Sequence, residues 1–364
     1  MTPLTRLALL LLGCAALLLP VTALAQSNQP TAPPTGPTLA TVLARGQVVC
    51  AVNEEVFGFG FLNPNTGDIT GLYVDLCRAV ATAVFGDPAA LDLRLRAYGT
   101  PPADLLDGTL DLLFDHGLSR TLSIDARAGL EFGAPVFYDG LAFMHRSGIE
   151  LATLDDLDGR SVCVVGGSAD MDGVRATLSS RSAAYELVTL ESLPAMYAAF
   201  EAGRCDAQAA PRSLLQIRRW SSADPNAYSV WETPFTLIAR APVFRYGDKQ
   251  WADIVNWTMW GLVQAEITGI TSANINAFLR TTAETDEAYI ARVGLPAARL
   301  LDPALGAGGG LGLSNDFMAR VISRVGNYAE IYERSLGPAA DVPVARGANL
   351  LARDGGLLDS PSWR

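Results

Sequence analysis

A hydroxyl-rich turn with two arginines is the segment whose chemistry is easiest to state. It runs SRTLSIDARAG from Ser119 to Gly129 and follows the apolar run LDLLF. Hydroxyl and guanidinium groups are the donors that hold a carboxylate, because a bidentate charge-assisted pair offsets the loss of hydration. Arg120 and Arg127 are therefore candidate anion-binding residues. The alternative is that both are solvated surface arginines.

Two further polar sites lie close to predicted turns. His116 is one of two histidines in the chain and lies in the same region as the arginines. There it would make ligand binding pH-sensitive, unless its role is structural. Gly166, Gly167 and Ser168 precede a predicted helix. Backbone N–H groups at a helix N-terminus attract a carboxylate, and Ser168 can also cap that helix.

The residue pattern gives no support for catalysis. We find no paired carboxylates, nucleophile triad or metal-ligand cluster, so we expect no enzyme activity, no cofactor and no metal. The glycine-rich stretch Gly306–Gly312 lacks the strand, helix and Lys-Ser/Thr context of a phosphate loop. A formal net charge of −11 argues against nucleic acid and against an anionic membrane surface as the main partner.

Alternating strand and helix patterns must position these residues. The chain shows two similar series of strands and helices, and such a series builds a mainly parallel sheet with helices on its faces. The prediction is an α/β protein with two lobes and a cleft between them. Residues 39–140 form the first part of lobe 1, residues 141–238 form lobe 2, and residues 239–364 return to lobe 1 with C-terminal helices. The chain should cross between lobes within 133–147 and again within 231–241.

The N-terminus indicates export. One positive charge, a long apolar run and Ala23-Leu24-Ala25 make the three-part pattern of a secretory signal over residues 1–25. A lipoprotein signal ending at Cys14 is the alternative. Residues 26–38 are rich in Pro, Ser and Thr and are predicted to be a disordered spacer. We therefore expect a periplasmic protein.

The cysteine count agrees with an oxidising compartment. Once Cys14 leaves with the signal, Cys50, Cys77, Cys163 and Cys205 remain. An even number predicts two disulfides, for which three connectivities exist, and buried free thiols are the alternative. The local choice is Cys50–Cys77 and Cys163–Cys205, with one bridge in each half of the chain.

Long collinear segments resemble a known family. They cover about residues 39–358 and include VVCAVN, TGLYVDLCRAVATAVFGD, YDGLAFMHR, SVCVVGG, AFEAGRCD, GDKQWADIVNWTMWGLVQAE, GLSNDFMARVISRVGNYAEIYER and ARGANLLARDGGL. The sequence resembles the periplasmic substrate-binding proteins of amino-acid ABC importers, the solute-binding protein family 3. It is most similar to the general L-amino-acid-binding subgroup. The resemblance implies a type II periplasmic-binding-protein fold, whose hinged lobes close on one small-molecule ligand and deliver it to an ABC permease in the inner membrane. It also implies cysteines at these four positions, and we expect a monomer.

The resemblance also implies where the two charged groups of an amino acid should be held. The family's carboxylate-binding arginine falls on Ile124, and Ser119 falls on a ligand-facing hydroxyl. Arg120 or Arg127 would replace the missing arginine only if the turn is rebuilt. The family's ammonium-binding aspartate falls on Pro211, which Arg212 follows.

The first loop supplies the remaining candidates. Glu54 and Glu55 are the acidic residues left for an ammonium group. Phe57, Phe59 and Phe61 alternate with glycines, and the family stacks a ligand side chain on this loop. Phe57 or Phe59 is therefore expected to do so, unless both pack into the lobe.

Three functions other than amino-acid import are alternatives on this scaffold. The loss of both charge anchors, together with His116, Arg120 and Arg212, would suit an organic anion on the same scaffold. A sensor or partner subunit without transport activity is another possibility. The third alternative is an enzyme on this fold, for which the sequence offers no catalytic residues.

Overall fold

The computed structural model describes residues 35–121, 129–179 and 184–363. Strands β1 to β15 are Val48–Asn53, Glu55–Val56, Gly60–Leu62, Ile69–Thr70, Leu91–Arg96, Leu112–Phe114, Leu130–Phe132, Phe137–Asp139, Leu141–Arg146, Arg160–Val165, Tyr185–Leu190, Ala207–Pro211, Tyr228–Val230, Ile238–Arg240 and Val243–Arg245. Helices α1 to α11 are Pro37–Arg45, Leu72–Phe85, Ala103–Leu106, Ala169–Ser179, Leu193–Glu201, Arg212–Trp220, Lys249–Thr268, Asp286–Val293, Leu295–Leu301, Phe317–Val325 and Tyr328–Leu336. Short 3₁₀ helices lie at Leu154–Leu157, Pro225–Ala227, Ile275–Ala277, Gly308–Leu311, Gly347–Asn349 and Ala352–Asp354.

Lobe 1 is built on a five-stranded sheet in the order β5-β1-β6-β15-β7. Strand β1 runs parallel to β5 and β6, whereas β15 is antiparallel to β6 and β7. All six residues of β1 are buried, as expected for an apolar central strand covered on both faces. A disulfide joins Cys50 in β1 to Cys77 in α2 and ties this helix to the sheet.

Lobe 2 repeats this arrangement with a sheet in the order β11-β10-β12-β9-β13. Strand β10 is parallel to β11 and β12, and β9 is antiparallel to β12 and β13. A second disulfide joins Cys163 in β10 to Cys205, which precedes β12. The local pairing of the four cysteines is thus confirmed, one bridge in each lobe.

A two-stranded ribbon joins the lobes. Strand β8 pairs with β14 in antiparallel register, with Ile238 opposite Asp139 and Arg240 opposite Phe137. Both strands lie within the segments predicted to cross between lobes. Because the ribbon carries both crossings, rotation about it would move one lobe relative to the other, as in a hinge.

The structure corrects the end of the predicted spacer. Helix α1 begins at Pro37, where the proline occupies the first turn, and Gly46 ends it in a left-handed conformation. The backbone N–H of the buried Thr38 donates to Asp248 at 2.8 Å, so this segment is part of lobe 1. The signal segment and most of the spacer lie outside the described residues. Within the described ranges, no helix is long and apolar enough to cross a bilayer.

Candidate functional site

The carboxyl ends of the parallel strands of the two lobes face each other. In lobe 1, Tyr98 follows β5 and Asp115 follows β6, and in lobe 2 the turn leading to Asp170 follows β10. A Cβ at Gly99 would lie 4.0 Å from Val165 Cγ1, which shows how close the two edges come. In open α/β sheets, ligands bind at this edge.

Four buried polar residues meet between these edges, and we call them the interlobe cluster: Tyr98, Asp115, Asp170 and Arg240. Asp170, in the first turn of α4, accepts a hydrogen bond from the Tyr98 hydroxyl of lobe 1. Its other oxygen pairs with Arg240 Nη2 at 3.2 Å. Arg240 Nη1 donates to Leu118 O at 3.0 Å, which ties the ribbon to the lobe 1 turn. One cluster therefore joins both lobes and the ribbon.

Burial dominates the electrostatics of this cluster. Arg240 is 1% exposed and Asp170 is 4% exposed. Burial, the largest single effect, would lower the pKa of Arg240, but Asp170, Tyr98, Tyr73 and Asp139 together outweigh it, so the pKa of Arg240 is raised and the guanidinium stays charged. Burial raises the pKa of Asp115 and, together with Asp170, the pKa of Tyr98. The cluster therefore holds a stable cation beside Asp170 and a second buried carboxyl group.

The interlobe cluster leaves hydrogen-bonding capacity unused. Among the described residues, Arg240 Nε and Asp115 Oδ2 are buried and have no hydrogen-bond partner. Most buried polar groups in native proteins are paired, so unpaired ones require a reason. Asp115 interacts electrostatically with Arg240, so the two unpaired atoms belong to one charged environment.

A second buried group, which we call the hinge cluster, consists of Tyr73, His116, Asp139 and Ser213. The Tyr73 hydroxyl bonds His116 Nδ1 at 2.9 Å, and His116 Nε2 faces Asp139 Oδ2 at 3.2 Å. The Ser213 hydroxyl donates to Asp139 Oδ2 at 2.5 Å and also lies 3.2 Å from His116 Nε2. Asp139 Oδ1 accepts from the backbone N–H groups of Gly140 and Ser213. This cluster joins lobe 1, the ribbon and lobe 2.

The hinge cluster contains Ser, His and Asp but does not have the geometry of a catalytic triad. In a triad, one ring nitrogen of His faces Ser and the other faces Asp. Here Ser213 and Asp139 both contact Nε2 of His116, and the Tyr73 hydroxyl bonds Nδ1. Burial lowers the pKa of His116 despite the hydrogen bond to Asp139, so the imidazole is neutral near pH 7. Burial would raise the pKa of Asp139, but His116, the hydrogen bond from Ser213 and the charge of Arg240 together outweigh it, and the net pKa is lowered.

The aromatic candidates pack within lobe 1. Phe59 is fully buried, with its ring centroid 4.4 Å from that of His116 and 4.8 Å from that of Phe137. It is a core residue, which corrects the expectation that it stacks on a ligand. Phe57 packs against Phe61, with ring centroids 4.6 Å apart, and lines a cavity formed by lobe 1 residues, including Arg334. It lies apart from the interlobe cluster.

The arginine candidates do not enter the interlobe cluster. The guanidinium of Arg120 contacts Phe132 of its own lobe, through the backbone carbonyl and the ring. Arg212 Nε donates to Trp231 O at 3.3 Å, and the residue lines a cavity beside the ribbon. Ser119 is half-buried in the turn after β6. The anion-binding set predicted from His116, Arg120 and Arg212 is therefore not brought together.

The lobe 2 turn has the predicted local structure. Gly167 has a φ of 74°, and its strand-to-helix turn leads into α4. The Ser168 hydroxyl accepts from Met171 N at 3.2 Å and so caps the helix. In lobe 1, Glu54 is half-buried after β1, but it is Glu55 that reaches the cluster, where its carboxylate accepts from Tyr98 N at 3.1 Å. Burial raises the pKa of Glu55.

Two predicted site positions lie outside the described residues, and two residues of the interlobe cluster were not predicted from the sequence. Ile124 and Arg127 lie outside the described residues. Pro211 ends β12 opposite Leu141. Arg240 was missed although it is the sole charge in the run TLIARAPVF, and Asp170 was missed because a first-turn aspartate has an ordinary explanation in the helix dipole.

Sequence comparison links the chain to transport proteins. No family model matches it. The general L-amino acid-binding periplasmic protein AapJ of Rhizobium johnstonii is 33% identical over 327 residues, which is 90% of this chain and 93% of AapJ. The glutamate/glutamine/aspartate/asparagine-binding protein BztA of Rhodobacter capsulatus is 32% identical over 329 residues, or 90% of this chain and 93% of BztA.

A solved structure agrees with the architecture. An ABC transporter periplasmic binding protein from Brucella ovis with glutathione bound is 32% identical, with a TM-score of 0.80. The match covers 90% of this chain and 99% of that protein. The fold is thus shared over nearly the whole of both chains.

Proposed function

Because the chain belongs to the family of periplasmic amino-acid-binding proteins of ABC transporters, we propose that it binds a free amino acid between its lobes and delivers it to a permease in the inner membrane. The observation that carries the proposal is the interlobe cluster. It brings a buried cation and buried carboxyl groups to the strand edges where ligands bind in such folds. Opposite charges suit the carboxylate and the ammonium group of an amino acid.

The hinge supports ligand capture by closure. Lobe 1 and lobe 2 each have their own sheet and disulfide, so each keeps its structure when the lobes move. Motion about the ribbon would expose the interlobe cluster to solvent, and closure would bury a ligand there. A cleft of this kind gives the permease two distinct states to recognise.

An organic anion is less well supported. Arg120 and Arg212 contact backbone carbonyls away from the cluster, and the lowered pKa of His116 leaves the imidazole neutral. Asp115 and Asp170 would repel an anion that has no ammonium group. No observation favours a sensor or partner subunit without transport activity, nor an enzyme.

The names of the relatives define the compounds to test. AapJ is described as a general L-amino acid-binding protein, and BztA as binding glutamate, glutamine, aspartate and asparagine. The Brucella ovis protein holds glutathione, whose γ-glutamyl end carries a free α-ammonium and α-carboxylate. We propose export to the periplasm through residues 1–25, in keeping with the periplasmic relatives.

A thermal-shift titration of the mature chain tests the proposal. The panel contains the standard L-amino acids, glutathione and a set of organic acids that lack an ammonium group. A ligand at a hundred times its Kd should raise the free energy of unfolding by about 2.7 kcal/mol. We expect stabilisation by one or more L-amino acids. Stabilisation by organic acids alone, or by nothing, would overturn the proposal.

A further inference from the structure

We propose that Arg240 and Asp170 are the residues that hold the two charged ends of the ligand, so that the site selects α-amino acids over molecules carrying either charge alone. Arg240 takes the α-carboxylate and Asp170 takes the α-ammonium. The inference rests on the proposed function and assigns to it residues that neither the charge pattern nor the resemblance had singled out.

The positions of the two residues fit this role. Asp170 lies in the first turn of α4 in lobe 2, and Arg240 ends the second strand of the ribbon. They meet across the line where the lobes separate, so opening the cleft would part them and present both to an entering molecule. Tyr98 from lobe 1 donates to Asp170 and would orient that carboxylate again when the lobes close on the ligand.

Charge balance makes the pair selective. The salt bridge between Arg240 and Asp170 is buried, and removing one partner from a buried pair is far more costly than replacing it. An α-amino acid inserts one carboxylate and one ammonium, so each buried charge exchanges one partner for another. A carboxylic acid without the ammonium would leave Asp170 without a cation, and an amine without the carboxylate would leave Arg240 without an anion.

Unused hydrogen-bonding atoms at the same place favour a ligand over a purely structural latch. Among the described residues, Arg240 Nε and Asp115 Oδ2 are buried and unpartnered, and their residues are 1% and 3% exposed. Arg240 presents Nε and Nη2 as a fork, and only Nη2 bonds Asp170 at 3.2 Å. A carboxylate would engage such a fork with two parallel hydrogen bonds. The Asp115 carboxyl group, on which the Asn53 amide also acts, can accept from a further donor such as an ammonium group.

Isothermal titration calorimetry on the mature chain tests the assignment. The probes are three amino acids with their analogues lacking the α-ammonium: L-glutamate with glutarate, L-leucine with 4-methylpentanoate, and L-alanine with propanoate. The variants are Arg240→Met and Asp170→Asn, which keep size while removing charge. Arg334→Met is the matched control, because Arg334 pairs with Asp75 in an Arg–Asp bridge between helices α2 and α11 of lobe 1. Thermal melts confirm that each variant is folded.

The variants should differ in their affinity for the amino acid and in their preference for it over the deaminated analogue. The unmodified chain should bind its preferred amino acid at least about a hundredfold more tightly than the deaminated analogue. Arg240→Met should raise the Kd of the amino acid by about a hundredfold or more. Arg334→Met should leave that Kd within about twofold of the value for the unmodified chain. Asp170→Asn should reduce the preference for the amino acid over its deaminated analogue to about tenfold or less, because the unpaired buried anion is gone.

The outcomes separate this assignment from the proposed function. Amino-acid binding that survives Arg240→Met with an unchanged preference would overturn the assignment while the proposed function stands. The pair would then be a structural latch. An unmodified chain that binds none of the three amino acids or glutathione would overturn both.

Discussion

The two buried polar clusters both join lobe 1 to lobe 2, yet they differ in how completely their atoms are paired. In the hinge cluster, both ring nitrogens of His116, both oxygens of Asp139 and the Ser213 hydroxyl have partners. In the interlobe cluster, Arg240 and Asp115 each keep a buried polar atom without a partner among the described residues. Two clusters of similar burial and composition are thus distinguished by hydrogen bonding.

The difference indicates different roles. A fully satisfied buried network is rigid and specifies one arrangement, whereas an unsatisfied buried group requires an explanation, of which a further bound group is one. Each cluster includes one residue of the ribbon, Asp139 in the hinge cluster and Arg240 in the interlobe cluster, but only in the interlobe cluster do Tyr98 and Asp170 extend from the facing strand edges of the two lobes. We infer that the first maintains the hinge and the second binds the ligand.

The largest effect on stability is expected from Asp139→Ala. This change leaves His116, the Ser213 hydroxyl and two backbone N–H groups without their shared acceptor. The free energy of unfolding should fall by about 3–5 kcal/mol in guanidinium titration. Asp68→Ala, at an exposed position, is the control and should change it by less than about 0.5 kcal/mol. A loss of under about 1 kcal/mol for Asp139→Ala would contradict a structural role for the hinge cluster.

Titration of His116 should give the next largest effect. Its folded-state pKa is lowered, first by burial, and Asp139, Arg240 and Asp170 are the charged groups that act on it, with Tyr73 bonded to Nδ1. The unfolded chain then binds a proton near pH 6.5 that the folded chain does not, so stability is retained above that pH and lost as the pH falls below it. Between pH 7 and pH 5 this loss amounts to at most about 2 kcal/mol.

His116→Gln isolates this contribution. The variant should be less stable at pH 7, but its free energy of unfolding should fall less between pH 7 and pH 5 than that of the unmodified chain. Denaturant titrations at the two pH values measure the difference. Equal pH dependence in both proteins would show that His116 titrates normally.

Replacing both charges of the interlobe cluster by neutral groups should lower the free energy of unfolding far less than Asp139→Ala does. In the double variant Arg240→Met/Asp170→Asn, both charges are removed together, and the amide oxygen that replaces the carboxylate can still accept from the Tyr98 hydroxyl. Replacing a buried ion pair by groups of similar size is often neutral or stabilising, so the free energy of unfolding should stay within about 1 kcal/mol of the unmodified value or rise. A loss of about 3 kcal/mol or more in guanidinium titration would show that the two clusters contribute to stability in the same way.

A further effect concerns the turn that presents Asp170. Gly167 has a left-handed φ of 74°, which a side chain adopts at a cost, although a Cβ there would meet no other atom within 4 Å. Gly167→Ala should lower the free energy of unfolding by about 1–2 kcal/mol. Gly148→Ala, where the backbone is not left-handed and the space is also open, is the matched control. Equal stability of the two variants in thermal melts would show that the turn is not constrained.

Much of the fold was predictable, because it rests on local patterns. The alternation in YELVTL and the apolar spacing in LPAMYAAFEAG match β11 and α5 closely. The apolar spacing in ANINAFLR predicts an α-helix, but the described segment forms a 3₁₀ helix at Ile275–Ala277. That stretch is too short for its spacing to distinguish the two. The resemblance and the cysteine count together predicted the lobes and both disulfides.

The candidate site was far less predictable, because it depends on which distant residues meet. Phe59 alternates with glycines, and alternation does not reveal which face of a loop is buried. Arg240 lies 70 residues from Asp170, and no spacing rule connects a residue of the ribbon with a helix of lobe 2. The sequence singled out His116 as a candidate ligand-binding residue, but its neighbours Asp139 and Ser213 come from other elements and place it at the hinge.

The most direct test compares Arg240→Met with Ser213→Ala in one thermal-shift experiment, with and without the preferred amino acid. Ser213→Ala removes a hydroxyl that bonds Asp139 and His116 at the hinge. We predict that Ser213→Ala lowers the melting temperature without ligand but keeps the ligand-induced rise, and that Arg240→Met loses this rise. A full ligand-induced rise in Arg240→Met, with loss of the rise in Ser213→Ala, would contradict the division of roles between the two clusters.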